Sequence, residues 1–326
     1  LLTAYIALEL LSFSLYVLVA YARHDAKSNE AGIKYLLIGV FSTGLLLYGL
    51  SLIYGSAGTT FYEGISQALQ AGTVSNPGFT VGLILLIAGL GFKVAAVPFH
   101  MWAPDVYEGA PVPVTAYLSV ASKAASFAWL LRLFVEAFSP AFPDWRPAIV
   151  ALAVLSMLLG NLVAIHQKNI KRLLAYSSIG QAGFILTGIA ALSGGNASLA
   201  SVAVIFHLVG YSITSLAAFI CIIAYYNLTG KDEIADYDGL ATESPFLAFV
   251  MAIALFSSAG LPIFVGFTTK FYLFTAVAMN GLLWLVVVAV ISSLISLYYY
   301  LVVIRHMYIG KSELSVRLRV PNLIRI

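Results

Sequence analysis

Charge is what this sequence has least of. Asp, Glu, Lys and Arg make up 10% of its 326 residues, against about 25% in a soluble domain that must stay solvated. A net charge of +3 over that length is too small for a nucleic-acid footprint, so no nucleic-acid partner is expected. Cysteine is nearly absent. Cys221 stands alone in Phe219-Ile220-Cys221-Ile222, which excludes a disulfide framework and any multi-cysteine metal or iron–sulfur centre. It reads as a small residue that is packed or faces lipid. The phosphate-cradling GxxxxGK[ST] run, a strand-turn-helix GxGxxG and clustered Cys/His ligands are all missing, so the chain is expected to carry no metal and no redox cofactor of its own. Leu1 already lies in an apolar stretch with neither an initiating Met nor a basic n-region, which is not a signal-peptide pattern. The chain is therefore expected to be a fragment lacking an N-terminal part.

Long apolar runs are there in abundance. Hydrophobic residues reach 61% and the mean hydropathy is +0.96, the composition of an all-α polytopic membrane protein in a lipid bilayer. A bilayer crossing takes about 20 mostly apolar residues. About nine such segments can be placed, at 1–22, 32–54, 78–102, 112–136, 147–166, 171–193, 197–226, 245–279 and 281–307. The eighth would extend roughly 50 Å at about 1.5 Å per residue, so it must tilt strongly or be broken. Odd segments run from one side, A, to the other, B. Of the 17 Lys and Arg, side B receives Arg23, Lys27, Lys34, Lys168, Lys171, Arg172, Lys231, Arg305, Lys311, Arg317, Arg319 and Arg325, and side A only Arg132 and Arg146. Side B is then the cytoplasm, matrix or stroma. A missed or invented segment would scramble that asymmetry.

Three lysines fall in no loop. Lys93, Lys123 and Lys270 each sit inside an apolar run, and Glu9 does the same in Ala7-Leu8-Glu9-Leu10-Leu11. A charge near the bilayer centre costs at least about 2.5–3.5 kcal/mol, and such residues mark ion or proton paths. Snorkelling to the interface is the competing explanation and suits Lys93 best; Lys123, about ten residues into its segment, lies too deep for it. Burial disfavours the charged form of a lysine and a nearby carboxylate favours it, so a carboxylate that approaches and withdraws makes a lysine take up and release a proton. Glu9 lies about nine residues in from side A and Lys93 about sixteen, which places both in the hydrocarbon layer by the ~1.5 Å helical rise. They are expected to form a pair that opens and closes.

Two of these lysines stand beside helix punctuation. Pro98 follows Lys93 in Val97-Pro98-Phe99-His100, and Gly260-Leu261-Pro262 precedes Lys270. Proline frees a carbonyl that lipid-exposed backbone cannot tolerate but a polar cavity can. A lysine beside a break, once in each half, is the pattern of inverted repeats with discontinuous helices. His207, mid-segment with Tyr211 one turn on, suits a proton relay or a hydrogen-bonded packing role equally. His100 and His166 read as interfacial. Asn161, Tyr176, Ser177, Ser178 and Gln181 read as polar glue between helices or the lining of a polar axis. Asp105, Glu108, Asp232, Glu233, Asp236, Asp238 and Glu243 read as solvated side-B surface.

The run Gly89-Leu90-Gly91-Phe92-Lys93-Val94-Ala95-Ala96-Val97-Pro98-Phe99-His100-Met101-Trp102-Ala103-Pro104-Asp105-Val106-Tyr107-Glu108-Gly109-Ala110-Pro111 resembles the antiporter-like membrane subunits of respiratory complex I. With Leu118-Ser119-Val120-Ala121-Ser122-Lys123-Ala124-Ala125 it resembles the N-type, or subunit 2, of NADH:quinone oxidoreductase more than the L- and M-types. Asp236-Tyr237-Asp238-Gly239-Leu240, Gly260-Leu261-Pro262 with Gly266-Phe267, and Ser296-Leu297-Tyr298-Tyr299-Tyr300 agree. Ile263-Phe264-Val265 departs from the pattern by being bulkier than the residues relatives often carry there.

That resemblance implies a proton-translocating membrane-arm subunit of about fourteen spans, of which this chain lacks the first four and the last. It implies two inverted five-helix repeats within a single transmembrane domain over 1–326: the first over 1–137, truncated at its start, the second over 146–308, with a side-B tail at 309–326. The family's functional charges fall on Glu9 and Lys93 as the coupling pair, Lys123 as the central relay and Lys270 as the second-half lysine. NADH, flavin, iron–sulfur clusters and quinone are expected in partner subunits of a hetero-oligomer made with other membrane-arm subunits. The location implied is a bacterial cytoplasmic membrane or an organellar energy-transducing membrane. A subunit of a multisubunit cation/proton antiporter or membrane-bound hydrogenase shares the lysine scaffold, and the N-type loop disfavours it. A secondary solute transporter would need polar recognition groups at the break, where mostly lysines and aliphatics stand. A purely structural scaffold leaves the buried charges without a role.

Overall fold

The computed structural model describes residues 1–74, 76–192 and 197–311. Arg317, Arg319 and Arg325, and all of the expected side-B tail beyond Lys311, lie outside the described residues. Among the described residues twelve helices of eight residues or more organise the fold, counting a helix through its irregular turns: α1 Leu2–Val19, α2 Ala26–Ala57, α3 Tyr62–Gln70, α4 Pro77–Val94, α5 Trp102–Gly109, α6 Val112–Ala137, α7 Phe142–Ala164, α8 Ile170–Ala190, α9 Ala197–Thr229, α10 Pro245–Ala259, α11 Val265–Met279 and α12 Leu283–Ile309. Among the described residues 8 are long and apolar enough to cross a membrane, and α10 and α11 are two shorter apolar helices. They replace the overlong eighth segment, which is broken at Gly260-Leu261-Pro262. The third segment also ends early. Its helix stops at Val94, and the residues from Trp102 onward form α5.

Local chemistry fixes the helix starts. The Asn76 carboxamide accepts from the Phe79 amide at 2.9 Å with Pro77 in the first turn of α4, and the Asn169 side chain accepts from the Lys171 and Arg172 amides at the start of α8. Burial then ranks the helices. The most apolar stretch of α8 is 94% buried, that of α1, α2 and α12 only 33%. Helix α8 is therefore the hub, and it is also the helix that carries Ser177, Ser178 and Gln181. Helix α7 reaches it closely because both helices present glycine: a Cβ on Gly160 would stand 2.7 Å from the Gly180 amide nitrogen.

The side-B groups meet at one end of the bundle, as the alternation of segments requires. There the side-chain readings need correction. Asp105 and Glu108 are not a solvated loop. They lie on α5 in a cross-helix ion cluster. Arg172 reaches Asp105 at 2.7 Å and Glu108 at 3.1 Å, Lys34 reaches Asp105 at 2.8 Å, and Lys27 reaches Glu108 at 3.4 Å. Lys171, buried, pairs with Asp232 at 3.0 Å. Glu243 is buried as well. His100, expected at an interface, is buried, whereas His166 is exposed. Cys221 is packed inside.

Candidate functional site

The four charges singled out above are all buried, and the fold holds each in a different way. Glu9 on α1 and Lys93 on α4 form an ion pair at 3.0 Å. Lys93 therefore does not snorkel. Its ammonium also donates to the Ser12 hydroxyl at 2.7 Å, and Glu9 accepts from the Thr43 hydroxyl at 2.7 Å. Ser12 stands one turn after Glu9, and Thr43 comes from α2. Two charges removed from water survive only when paired and further hydrogen-bonded, which is what these hydroxyls supply.

Lys123 has no carboxylate among its described partners. Its ammonium donates to the Ser178 carbonyl at 2.7 Å and to the Ser178 hydroxyl at 2.8 Å. The turn before it, Leu118–Ser122, is π-helical. The widened turn leaves the Ser119 carbonyl to accept from the Tyr211 hydroxyl at 3.0 Å. Single π turns inside α-helices concentrate at functional positions. Nothing in the apolar spacing of the sequence signalled this one, nor the second at Leu133–Ala137.

Lys270 sits in the break between α10 and α11. Gly260 has φ +85, and Pro262 lacks the amide that would have bonded the Ser258 carbonyl in a continuous helix. The Lys270 ammonium takes the freed carbonyls instead: Ser258 at 3.0 Å and Ala259 at 3.2 Å, with the Ser293 hydroxyl at 3.0 Å. It also lies 4.6 Å from the Phe184 ring centre, a favourable place for a cation. His207 donates to or accepts from the Thr269 hydroxyl through Nδ1 at 3.0 Å, directly beside Lys270 in sequence, and its buried Nε2 has no partner among the described residues.

Between Lys123 and Lys270 runs the polar face of α8. Ser178 holds Lys123; Ser177, next to it, bonds the Tyr300 hydroxyl; Gln181, one turn on, donates to the Ser258 carbonyl at 3.1 Å, which Lys270 also uses. Asn161 on α7 bonds Ser292 at 2.7 Å and accepts from Tyr299 at 2.8 Å. Of the residues read as glue or axis, Asn161, Ser177, Ser178 and Gln181 bond across helices. Ser177 ties α8 to α12, Ser178 ties it to α6, Gln181 ties it to α10 and Asn161 ties α7 to α12, and the three on α8 set a file of hydroxyl and amide groups from one buried lysine toward the next.

The chain as a whole is similar to known proteins. Residues 1–296 match the family described as NADH:quinone oxidoreductase/Mrp antiporter, TM. The chain belongs to that family. It is 50% identical over 310 residues to NADH-quinone oxidoreductase subunit N of Moorella thermoacetica, covering 95% of this chain and 64% of that one. To NAD(P)H-quinone oxidoreductase subunit 2 of Nostoc punctiforme it is 48% identical, covering 94% and 57%. The chain thus spans less than two thirds of these relatives' length. Respiratory complex I from Thermus thermophilus contains a similar fold, with TM-score 0.83, 33% identity and 98% and 68% coverage. So does the archaeal membrane-bound sulfane sulfur reductase, with TM-score 0.87, 30% identity and 99% and 64% coverage. The N-type likeness read from the sequence is borne out by these relatives, as is the multi-pass membrane architecture.

Proposed function

We propose that this chain is a proton-translocating membrane-arm subunit of an NADH:quinone oxidoreductase. Protons pass along its buried Lys and Glu while quinone is reduced in partner subunits, which hold the NADH, flavin, iron–sulfur and quinone sites. The observation that carries this reading is the Glu9–Lys93 ion pair, buried and 3.0 Å apart, followed by two buried lysines with neutral partners only among the described residues. Paired, Lys93 is held charged by Glu9. When the pair opens, the lysine loses that support and passes a proton to Lys123, whose ammonium then rests on Ser178. From there the file along α8 leads to Lys270, with His207 beside it. The two breaks suit a division into inverted repeats over 1–137 and 146–308, and a bacterial cytoplasmic membrane or its organellar counterpart supplies the gradient. A cation/proton antiporter or sulfur-reducing assembly shares the scaffold at a TM-score of 0.87. The higher identity to subunit N favours the oxidoreductase. Lys123→Ala tests the reading. The complex should assemble normally yet lose most of its proton pumping and coupled quinone reduction in proteoliposomes. Lys123→Arg should fare little better, because a guanidinium does not release its proton. Unchanged pumping per electron in assembled Lys123→Ala complex would refute it.

A further inference from the structure

Tyr16 on α1 is used by none of these steps, and its surroundings are unusual. Glu9, Ser12 and Tyr16 follow at helical spacing on one buried face of α1. The Ser12 hydroxyl accepts from Lys93 at 2.7 Å and donates to the Leu8 carbonyl at 2.8 Å. The Thr43 hydroxyl is committed to Glu9 at 2.7 Å. The Tyr16 hydroxyl has the side chains of both Ser12 and Thr43 as neighbours, yet among the described residues it is buried without an aligned hydrogen bond. A buried hydroxyl left without a partner is unfavourable and calls for a reason. The ring cannot swing away to find one. Phe13 and Tyr35 meet it edge-on at 5.8 Å and 4.6 Å. Helix α2 makes room for the oxygen, because a Cβ on Gly39 would overlap it.

We propose that Tyr16 is the third member of the Glu9–Lys93 switch, a positioning residue whose hydroxyl donates to the Ser12 oxygen when Lys93 withdraws. In the closed pair the Ser12 oxygen is held toward Lys93 and, by its own proton, toward the Leu8 carbonyl, and the phenol is not aligned with it. On opening, the Lys93 contact breaks and the Tyr16 O–H turns to replace it, while Ser12 keeps its bond to Leu8. Only hydrogen bonds are exchanged; the phenol keeps its proton. The open pair gains a hydrogen bond that the closed pair lacks, which eases opening. This inference rests on the reading of the pair as an opening switch.

Tyr16→Phe in the complex that contains this chain keeps the ring and both edge contacts. Assembly should be unchanged, the thermal midpoint unchanged or higher, and quinone-reductase turnover per assembled complex should fall about fivefold, the worth of one hydrogen bond. Placed on Lys93→Met, the same change should cost nothing further, since no Lys93 contact remains to be replaced. A packing role would instead lower the midpoint in Tyr16→Phe, and that result overturns the proposal. So does unchanged turnover in Tyr16→Phe where Lys93→Met is strongly impaired. Unimpaired Lys93→Met would remove the switch itself, and the proposal with it.

Discussion

The two broken helices solve the same problem with different residues. In each, a helix ends in a left-handed residue, Ala95 after α4 and Gly260 after α10, and the amide two places past the last full turn reaches back: Ala96 to Gly91 at 2.8 Å, Leu261 to Phe256 at 3.2 Å. Each break also carries a non-glycine residue in this region of backbone space, Ala95 at φ 58 and Ile263 at φ 86, and such positions cluster where function demands them. The lysines then part ways. Lys93 is held by a carboxylate, so its charge depends on a second helix that can move. Lys270 is held by carbonyls that its own broken helix has freed, so its site is built into the backbone. The first lysine is suited to being switched by a partner, the second to receiving and passing on a proton in a fixed cradle.

The largest expected consequence is in stability. Lys93→Met leaves Glu9 charged and buried, which costs about 3–5 kcal/mol. Lys270→Met leaves only neutral acceptors bare and should cost about 1–3 kcal/mol. Thermal unfolding of the assembled variants measures both, and equal losses would erase the distinction. Gly260→Ala sharpens it further. A Cβ there stands 3.0 Å from the Lys270 Cδ, and the left-handed backbone adds about 1–2 kcal/mol for alanine. Stability and turnover should both fall. The mirror change, Ala95→Gly, relieves that strain at the first break and should stabilise by about 1 kcal/mol or less.

A smaller effect belongs to the ion cluster that fastens α5, the helix after the first break. Burial would raise the Asp105 carboxyl, but hydrogen bonds and charge from Lys34 and Arg172 outweigh it and hold it below its ordinary 3.8. A carboxyl lowered on folding contributes stability above its unfolded value and loses it as pH falls through the folded one. Asp105→Asn should therefore cost about 1 kcal/mol at neutral pH, since the pair is partly exposed. The difference from the unaltered protein should shrink below pH 4. Thermal unfolding across that range checks it, and a penalty independent of pH would argue against the ion-pair account.

The spans, the four buried charges and both breaks were legible because each is a property of one segment: its length, its hydropathy, or a proline or glycine beside a lysine. What the sequence hid depends on which faces meet. Asp105 and Glu108 look like loop charges until α2 and α8 bring Lys34 and Arg172 over α5. Ser12 and Thr43 are ordinary hydroxyl residues in apolar helices, and nothing local marks them as the partners of Lys93 and Glu9. The π turn before Lys123 leaves no trace in hydropathy, because an extra residue in a turn alters the backbone bonding and not the composition. His100 reads as interfacial from its place near a segment end, but the chain folds back into the bundle there.

The central claim is that Glu9 and Lys93 act as one switch. A double-mutant cycle of Glu9→Gln and Lys93→Met, read as quinone-reductase turnover per assembled complex, tests it most directly. Each single change should impair turnover, and the double variant should lose clearly less than the product of the two single losses predicts. Losses that multiply independently would show that the two residues act separately and would contradict the switch.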